Sequence, residues 1–127
     1  MKIELINIED ILIAEIQSEE IEIRNAQDAL DILANCSYQG AYSIIISEHN
    51  IIPGFFDLKT GIAGDVLQKF STYNVRLAII GDFSKYTSKS LNNFISESNR
   101  VGRINFVDSL EHAKEVLLKF ENKSGYR

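Results

Sequence analysis

One cysteine, one proline, one methionine, two histidines and no tryptophan stand in the 127 residues of this chain. Each scarcity removes a class of protein. The lone Cys36 has no partner for an internal disulfide and offers no thiolate cluster for zinc, a usage that suits a reducing cytoplasm. His49 and His112 are too far apart in sequence to start a metal site, and no cofactor is implied. No apolar run approaches the ~20 residues that a membrane span needs. The opening Met1-Lys2-Ile3-Glu4 alternates apolar and charged residues where a signal peptide would carry an apolar core. The expectation is one cytoplasmic domain over residues 1–127, with no membrane association and enough chain to bury a core unaided.

Positive charge is also in short supply. Thirteen bases face eighteen acids, a net charge of −5, which argues against nucleic acid as the main partner. Residues 1–23 hold seven of those acids and one base, a net −6, so the rest of the chain is close to balance at +1. Between Lys85 and Arg103 four bases (Lys85, Lys89, Arg100 and Arg103) face the single acid Glu97. The plain reading is solvated faces of different sign; the sharper one is an acidic edge and a basic helix that orient a protein partner.

What is abundant is isoleucine in patterned runs. Lys2 to Asn7 and Ile11 to Ile16 predict a strand pair around a turn at Glu9-Asp10, each with one buried face. Ser18 to Ile23 either extends that hairpin or leads to the next helix. Asn25 and Asp28 resemble a capping box for a helix whose stripe is Ala26, Ala29, Leu30 and Leu33, with Gly40 as its stop. Cys36 is expected at the edge of that packing. Tyr42 to Ser47 and Val75 to Gly81 read as strands covered on both faces. Ile51, Ile52, Phe55 and Phe56, large and apolar in a loop, are expected to fold back as a lid. A polar helix follows from about Thr87, with a thin stripe of Leu91, Phe94 and Ile95. Arg103 to Val107 is a last strand. The final helix opens on Asp108 and Glu111 as a capping box, carries Leu110, Ala113, Val116, Leu117 and Phe120 inward, and leaves Asn122 to Arg127 as a tail.

The order is therefore β-β-α-β-α-β-α-β-α: an α/β fold with a mixed sheet of about five strands, the central strands parallel and the opening hairpin antiparallel. The stretch from Phe55 to Phe70 organises the rest. At helical spacing Ile62, Ala63, Val66, Leu67 and Phe70 form its buried stripe. Asp57, Gly61, Gly64, Asp65 and Gln68 then share the opposite face. Two glycines on an exposed helix face cost roughly 1 kcal/mol each relative to alanine, so this side-chain-poor face is expected to receive something.

Three strand ends, Ser47-Glu48-His49, Gly81-Asp82-Phe83 and Asp108-Ser109, supply acids, an imidazole and hydroxyls. Asp82 and Asp108 are more simply explained as caps for helix amides, and His49 as an exposed loop residue. No G-x-G-x-x-G, no phosphate-binding G-x-x-x-x-G-K-[ST] and no G-x-S-x-G is present. An enzyme is not expected, and no catalytic residue is assigned. The alternative is a small-molecule binder or minor enzyme using a strand-end crevice near His49, Asp57 and Asp82. A homodimer through the hairpin or the Phe55-Phe56 loop is a further possibility.

The element order, with a helix leaving the third strand, resembles the STAS domain of anti-sigma-factor antagonists. In that family a phosphorylatable serine opens the second helix within Asp-Ser-Ser-Gly. Phe56-Asp57-Leu58-Lys59-Thr60-Gly61 stands at the corresponding junction, with acid and hydroxyl one residue further apart, and Thr60 takes the serine's place. Phe55 to Gly61, Gly81-Asp82-Phe83-Ser84-Lys85-Tyr86 and Ser90-Leu91 to Glu97-Ser98-Asn99 are also similar to a family of small bacterial proteins, the domain of unknown function 4180. These resemblances imply a STAS-like fold and a regulatory module that binds another protein. The expected contact face is Asp57, Thr60, Gly61, Gly64 and Asp65 with Asp82, Ser84 and Lys85 adjoining, and Thr60 is the expected phosphorylation site.

Overall fold

The computed structural model describes residues 1–124, with side chains through Lys119. Five strands, β1 (Lys2–Ile8), β2 (Ile11–Gln17), β3 (Ser43–Ser47), β4 (Arg76–Ile80) and β5 (Ile104–Val107), lie in one sheet in sequential order. β1 and β2 pair antiparallel, and every later pairing is parallel. Four helices complete the fold: α1 (Ala26–Tyr38), α2 (Ile62–Thr72), α3 (Lys89–Val101) and α4 (Leu110–Ser124). The α/β class, the element order and the mixed five-stranded sheet agree with the sequence reading.

The hairpin closes through Glu9 and Asp10, both with positive φ, 53° and 67°. That is the turn whose twist suits two right-twisted strands, made here without glycine. From β2 to β5 the chain steps in one direction across the sheet. Right-handed crossovers that keep one direction all land on one face, which places α1, α2 and α3 together. Their buried side chains, among them Ile32, Leu33, Cys36, Val66, Phe70 and Leu91, pack with Ala14, Ile16, Ile44, Ile46, Leu77, Ile79, Ile104 and Phe106 of the strands. α4 follows β5 and covers the other face. There Ala113 and Leu117 meet Ile13, Ile45, Ala78 and Val107.

Arg76 fastens that second layer. Its guanidinium is buried and donates to the carbonyls of Leu117 (2.7 Å), Val116 (3.0 Å) and Gly102 (3.1 Å). Alternation places it on the α4 side of β4, two residues before Ala78. The strand is therefore covered on both faces as expected, with one of the covering contacts polar.

Several local expectations shift. Cys36 is at 0 % exposure, inside the core and not at its edge; burial pushes its thiol up to about 11. α4 is capped by Ser109, whose hydroxyl accepts from the His112 amide (3.1 Å), and Asp108 instead faces the His112 ring at 3.3 Å. The helix continues through Asn122–Ser124, where a tail was expected; 125–127 and the Phe120 side chain lie outside the described residues. The segment after β2 does not extend the hairpin. It runs as an arm that joins β-fashion only at the bridge of Ile23 to Ile51.

Candidate functional site

The carboxyl ends of β3, β4 and β5 lie side by side, since Ser47 is level with Ile80 and Ile80 with Val107. After β4 the chain turns onto one face of the sheet, and after β5 onto the other. Connections that part in this way leave a gap at the strand ends, the usual place for a ligand in parallel sheets. The gap here is a crevice of about 560 Å³, lined by Gly81, Asp82, Phe83, Ser84, Phe106, Val107, Asp108 and His112.

A second crevice, of about 320 Å³, opens beside it toward the arm and is lined by Ile21, Glu48, His49, Ile51, Pro53, Phe56, Lys85 and Tyr86. Glu48 is its centre. Its Oε2 accepts from the Tyr86 hydroxyl (2.6 Å) and from Lys85 Nζ (2.7 Å). The Tyr86 ring stacks on Phe56, with centroids 5.1 Å apart and planes 11° from parallel. Burial first, and then the bond to Glu48 and its charge, raise the Tyr86 hydroxyl well above its ordinary range. The arm forming the outer wall is held by Asn50, which is 1 % exposed. Its amide donates to the carbonyls of Ser18 (3.0 Å) and Glu20 (2.8 Å), and its own carbonyl accepts from Glu22 and Ile23. His49 Nε2 also reaches the Ser18 carbonyl, at 3.2 Å.

The expected central helix is divided. Pro53–Phe56 and Leu58–Thr60 are 3₁₀ turns, and α2 proper begins at Ile62. Pro53 starts the first turn, where its missing N–H is no loss. Phe55 and Phe56 are buried at 0 % and 7 %, so the apolar loop does fold back as a lid. Asp57 caps the second turn by accepting from the Lys59 amide (3.2 Å). Thr60 pins the whole loop: its hydroxyl shares its proton between the carbonyls of Gly54 (2.8 Å) and Asp57 (2.9 Å) and accepts from the Ile62 amide (3.2 Å).

The two glycines consequently differ in kind. Gly61 is not on a helix face; it is the left-handed residue before α2, at φ 80°, a conformation that costs an L side chain roughly 1–2 kcal/mol. Gly64 is inside the helix and exposed, and beyond its own helical backbone and chain neighbours nothing lies within 4 Å of where its Cβ would stand. Asp65 beside it is exposed as well.

The eight sequence-predicted contact residues fall in three places. Asp57, Thr60, Gly61, Gly64 and Asp65 surround the start of α2. Asp82 and Ser84 line the larger crevice, where Asp82 Oδ1 accepts from the Ser84 hydroxyl (2.6 Å) and amide (3.1 Å). Those two bonds, with the nearby Lys85 charge, hold the Asp82 carboxyl below its usual range. This is a local turn and not the helix cap expected for Asp82, since α3 begins only at Lys89 behind its cap Ser88. Lys85 belongs to the smaller crevice. The His49, Asp57 and Asp82 grouping is likewise spread out: His49 lines the smaller crevice, Asp82 the larger, and Asp57 neither. Glu48 was named from sequence only among the strand-end acids, and Tyr86 and Asn50 were given no role. An acid directly after a buried strand was the available signal for Glu48; for Tyr86 and Asn50, only folding reveals the partner.

Among the described residues no three histidine, cysteine or carboxylate side chains gather as metal ligands, and no helix is long and apolar enough to cross a membrane. An α/β chain with these strand-end crevices is a class shared by many functions. Its family is more particular: the model described as Domain of unknown function (DUF4180) matches residues 8–117, and the chain belongs to that family. No curated protein and no solved structure matches it.

Proposed function

We propose that this protein is a non-enzymatic, STAS-like regulatory module that binds another protein through the amino-terminal end of α2. The observation that carries the reading is Gly64. A glycine within a helix gives up roughly 1 kcal/mol relative to alanine, and here no internal contact explains it, because the space above it is open. A bare backbone between Asp57, Gly61 and Asp65 lets a partner approach the helix closely. Residues 1–23 carry a net −6, a charge that would favour a basic partner.

Phosphorylation of Thr60 would act here by a different route from added charge alone. The hydroxyl proton bridges two carbonyls, and a phosphate ester removes that proton and sets oxygens against oxygens. Modification would loosen the 54–62 loop, and with it the lid residue Phe56.

Affinity capture from a bacterial host with wild-type protein, Gly64→Arg and Ser71→Arg tests the face. A specific partner retained by wild type and Ser71→Arg but lost by Gly64→Arg, with neither variant melting below wild type, is expected. A partner that Gly64→Arg retains would place the contact elsewhere.

A further inference from the structure

We propose that the smaller crevice is a binding site for a primary alkylammonium group, which takes the seat on Glu48 that Lys85 holds. This does not depend on the docking face around Gly64.

The seat is built around the carboxylate. The Glu48 side chain is only 16 % exposed, and a Cβ on Gly81 would stand 2.5 Å from its Oε1, so the glycine directly after β4 is what lets Glu48 lie there. The two donors that hold it are unequal. Tyr86 is fixed by its stack on Phe56. Lys85 is 52 % exposed and reaches in from solvent on a flexible stem. A pair exposed to that degree contributes little, so a cation of the same kind displaces it easily.

The rest of the crevice suits the stem of such a ligand. Ile21, Ile51, Pro53 and the Phe56 ring offer apolar walls in a volume of about 320 Å³. Lys85 Nζ stands 5.3 Å from the centre of the Tyr86 ring, so the position that receives a ligand ammonium also sits within cation–π range. The wall carrying Ile21 brings Glu19, Glu20 and Glu22 with it, a field that draws cations toward the opening and repels a carboxylate. The same ammonium comes from a free amine or from a lysine side chain of a protein.

NMR titration of the full chain with n-butylammonium, n-butanol and Nα-acetyl-lysine amide tests this, using wild type, Lys85→Ala and Glu48→Gln. Butylammonium should shift the amides of Glu48, Gly81 and Tyr86 saturably. It should bind Lys85→Ala about two- to fivefold tighter than wild type, the factor by which an exposed ion pair competes. Glu48→Gln, which still accepts from Tyr86, should lose the response. Tighter binding of the lysine amide assigns the site to a protein side chain, and tighter binding of butylammonium to a free amine. Equal shifts with butanol, or no saturable binding by Lys85→Ala, would overturn the proposal.

Discussion

The Glu48 side chain occupies the space that a side chain at residue 81 would need: a Cβ built on Gly81 would lie 2.5 Å from Glu48 Oε1 and 2.8 Å from Glu48 Cβ. The requirement at residue 81 is room, not a left-handed backbone. Gly81→Ala should therefore evict Glu48 from its place beneath Tyr86 and cost about 1–3 kcal/mol, as overpacking does. With Glu48 withdrawn, the Tyr86 hydroxyl should ionise nearer its ordinary range. Urea unfolding gives the first quantity and spectrophotometric titration the second. Unchanged stability with unchanged tyrosine ionisation would mean that Glu48 has no fixed seat.

Glycines 61 and 64 should respond to alanine in opposite directions. Gly61→Ala forces an L residue to φ 80° and should destabilise by about 1 kcal/mol or somewhat more. Gly64→Ala adds a methyl group to open space on a helix and should stabilise by about 0.5–1 kcal/mol. Paired denaturation curves decide it; a loss at residue 64 equal to that at residue 61 would contradict the geometry.

Thr60→Val keeps the shape of the side chain and removes both roles of the hydroxyl. Since the hydroxyl serves two carbonyls and one amide at an exposed site, a loss of about 1–2 kcal/mol is expected. Thr60→Ser should stay within about 0.5 kcal/mol of wild type. Faster hydrogen exchange confined to residues 54–62 in the valine variant would locate the effect in the loop.

Arg76→Met fills similar volume but strips donors from the carbonyls of Gly102, Val116 and Leu117. A cost of about 2–4 kcal/mol is expected. The loss should come with earlier exchange in α4 than in α1, because the arginine ties the α4 layer to the sheet.

Alkali should weaken the fold in two stages. The Cys36 thiol is raised from its ordinary 9.0 to about 11, and the Tyr86 hydroxyl is raised from 10.0. In both groups the protonated form is the one the fold favours, and the unfolded chain releases its proton first. Their stabilising contributions are thus complete below about pH 9 and are lost as pH rises, that of Cys36 between 9.0 and about 11. Urea midpoints measured across this range should fall, and Cys36→Ala should delay the fall until tyrosine begins to ionise.

Much of the architecture was legible because burial imposes periods. The runs at Ser43–Ser47 and Arg76–Ile80 are apolar on both faces, and the structure covers both faces of each. Asn25 caps α1 as its spacing predicts, accepting from the Asp28 amide at 2.9 Å. The stretch from Asp57 to Gly61 misled for a physical reason. Its residues satisfy a helical spacing, but Thr60 can hold successive 3₁₀ turns through side-chain bonds, and Gly61 can supply the left-handed joint. Periodicity sees neither.

What the chain determined alone is the order of its elements and which side of each is apolar, because these follow from local patterning and from the bias toward right-handed crossovers. What only the tertiary structure decided is which polar groups meet. Glu48, Gly81, Lys85 and Tyr86 come from two loops more than thirty residues apart, and their shared position depends on two parallel strands ending level. A carboxylate shows its charge in the sequence; its neighbours, and the space kept for it, exist only once the sheet has formed.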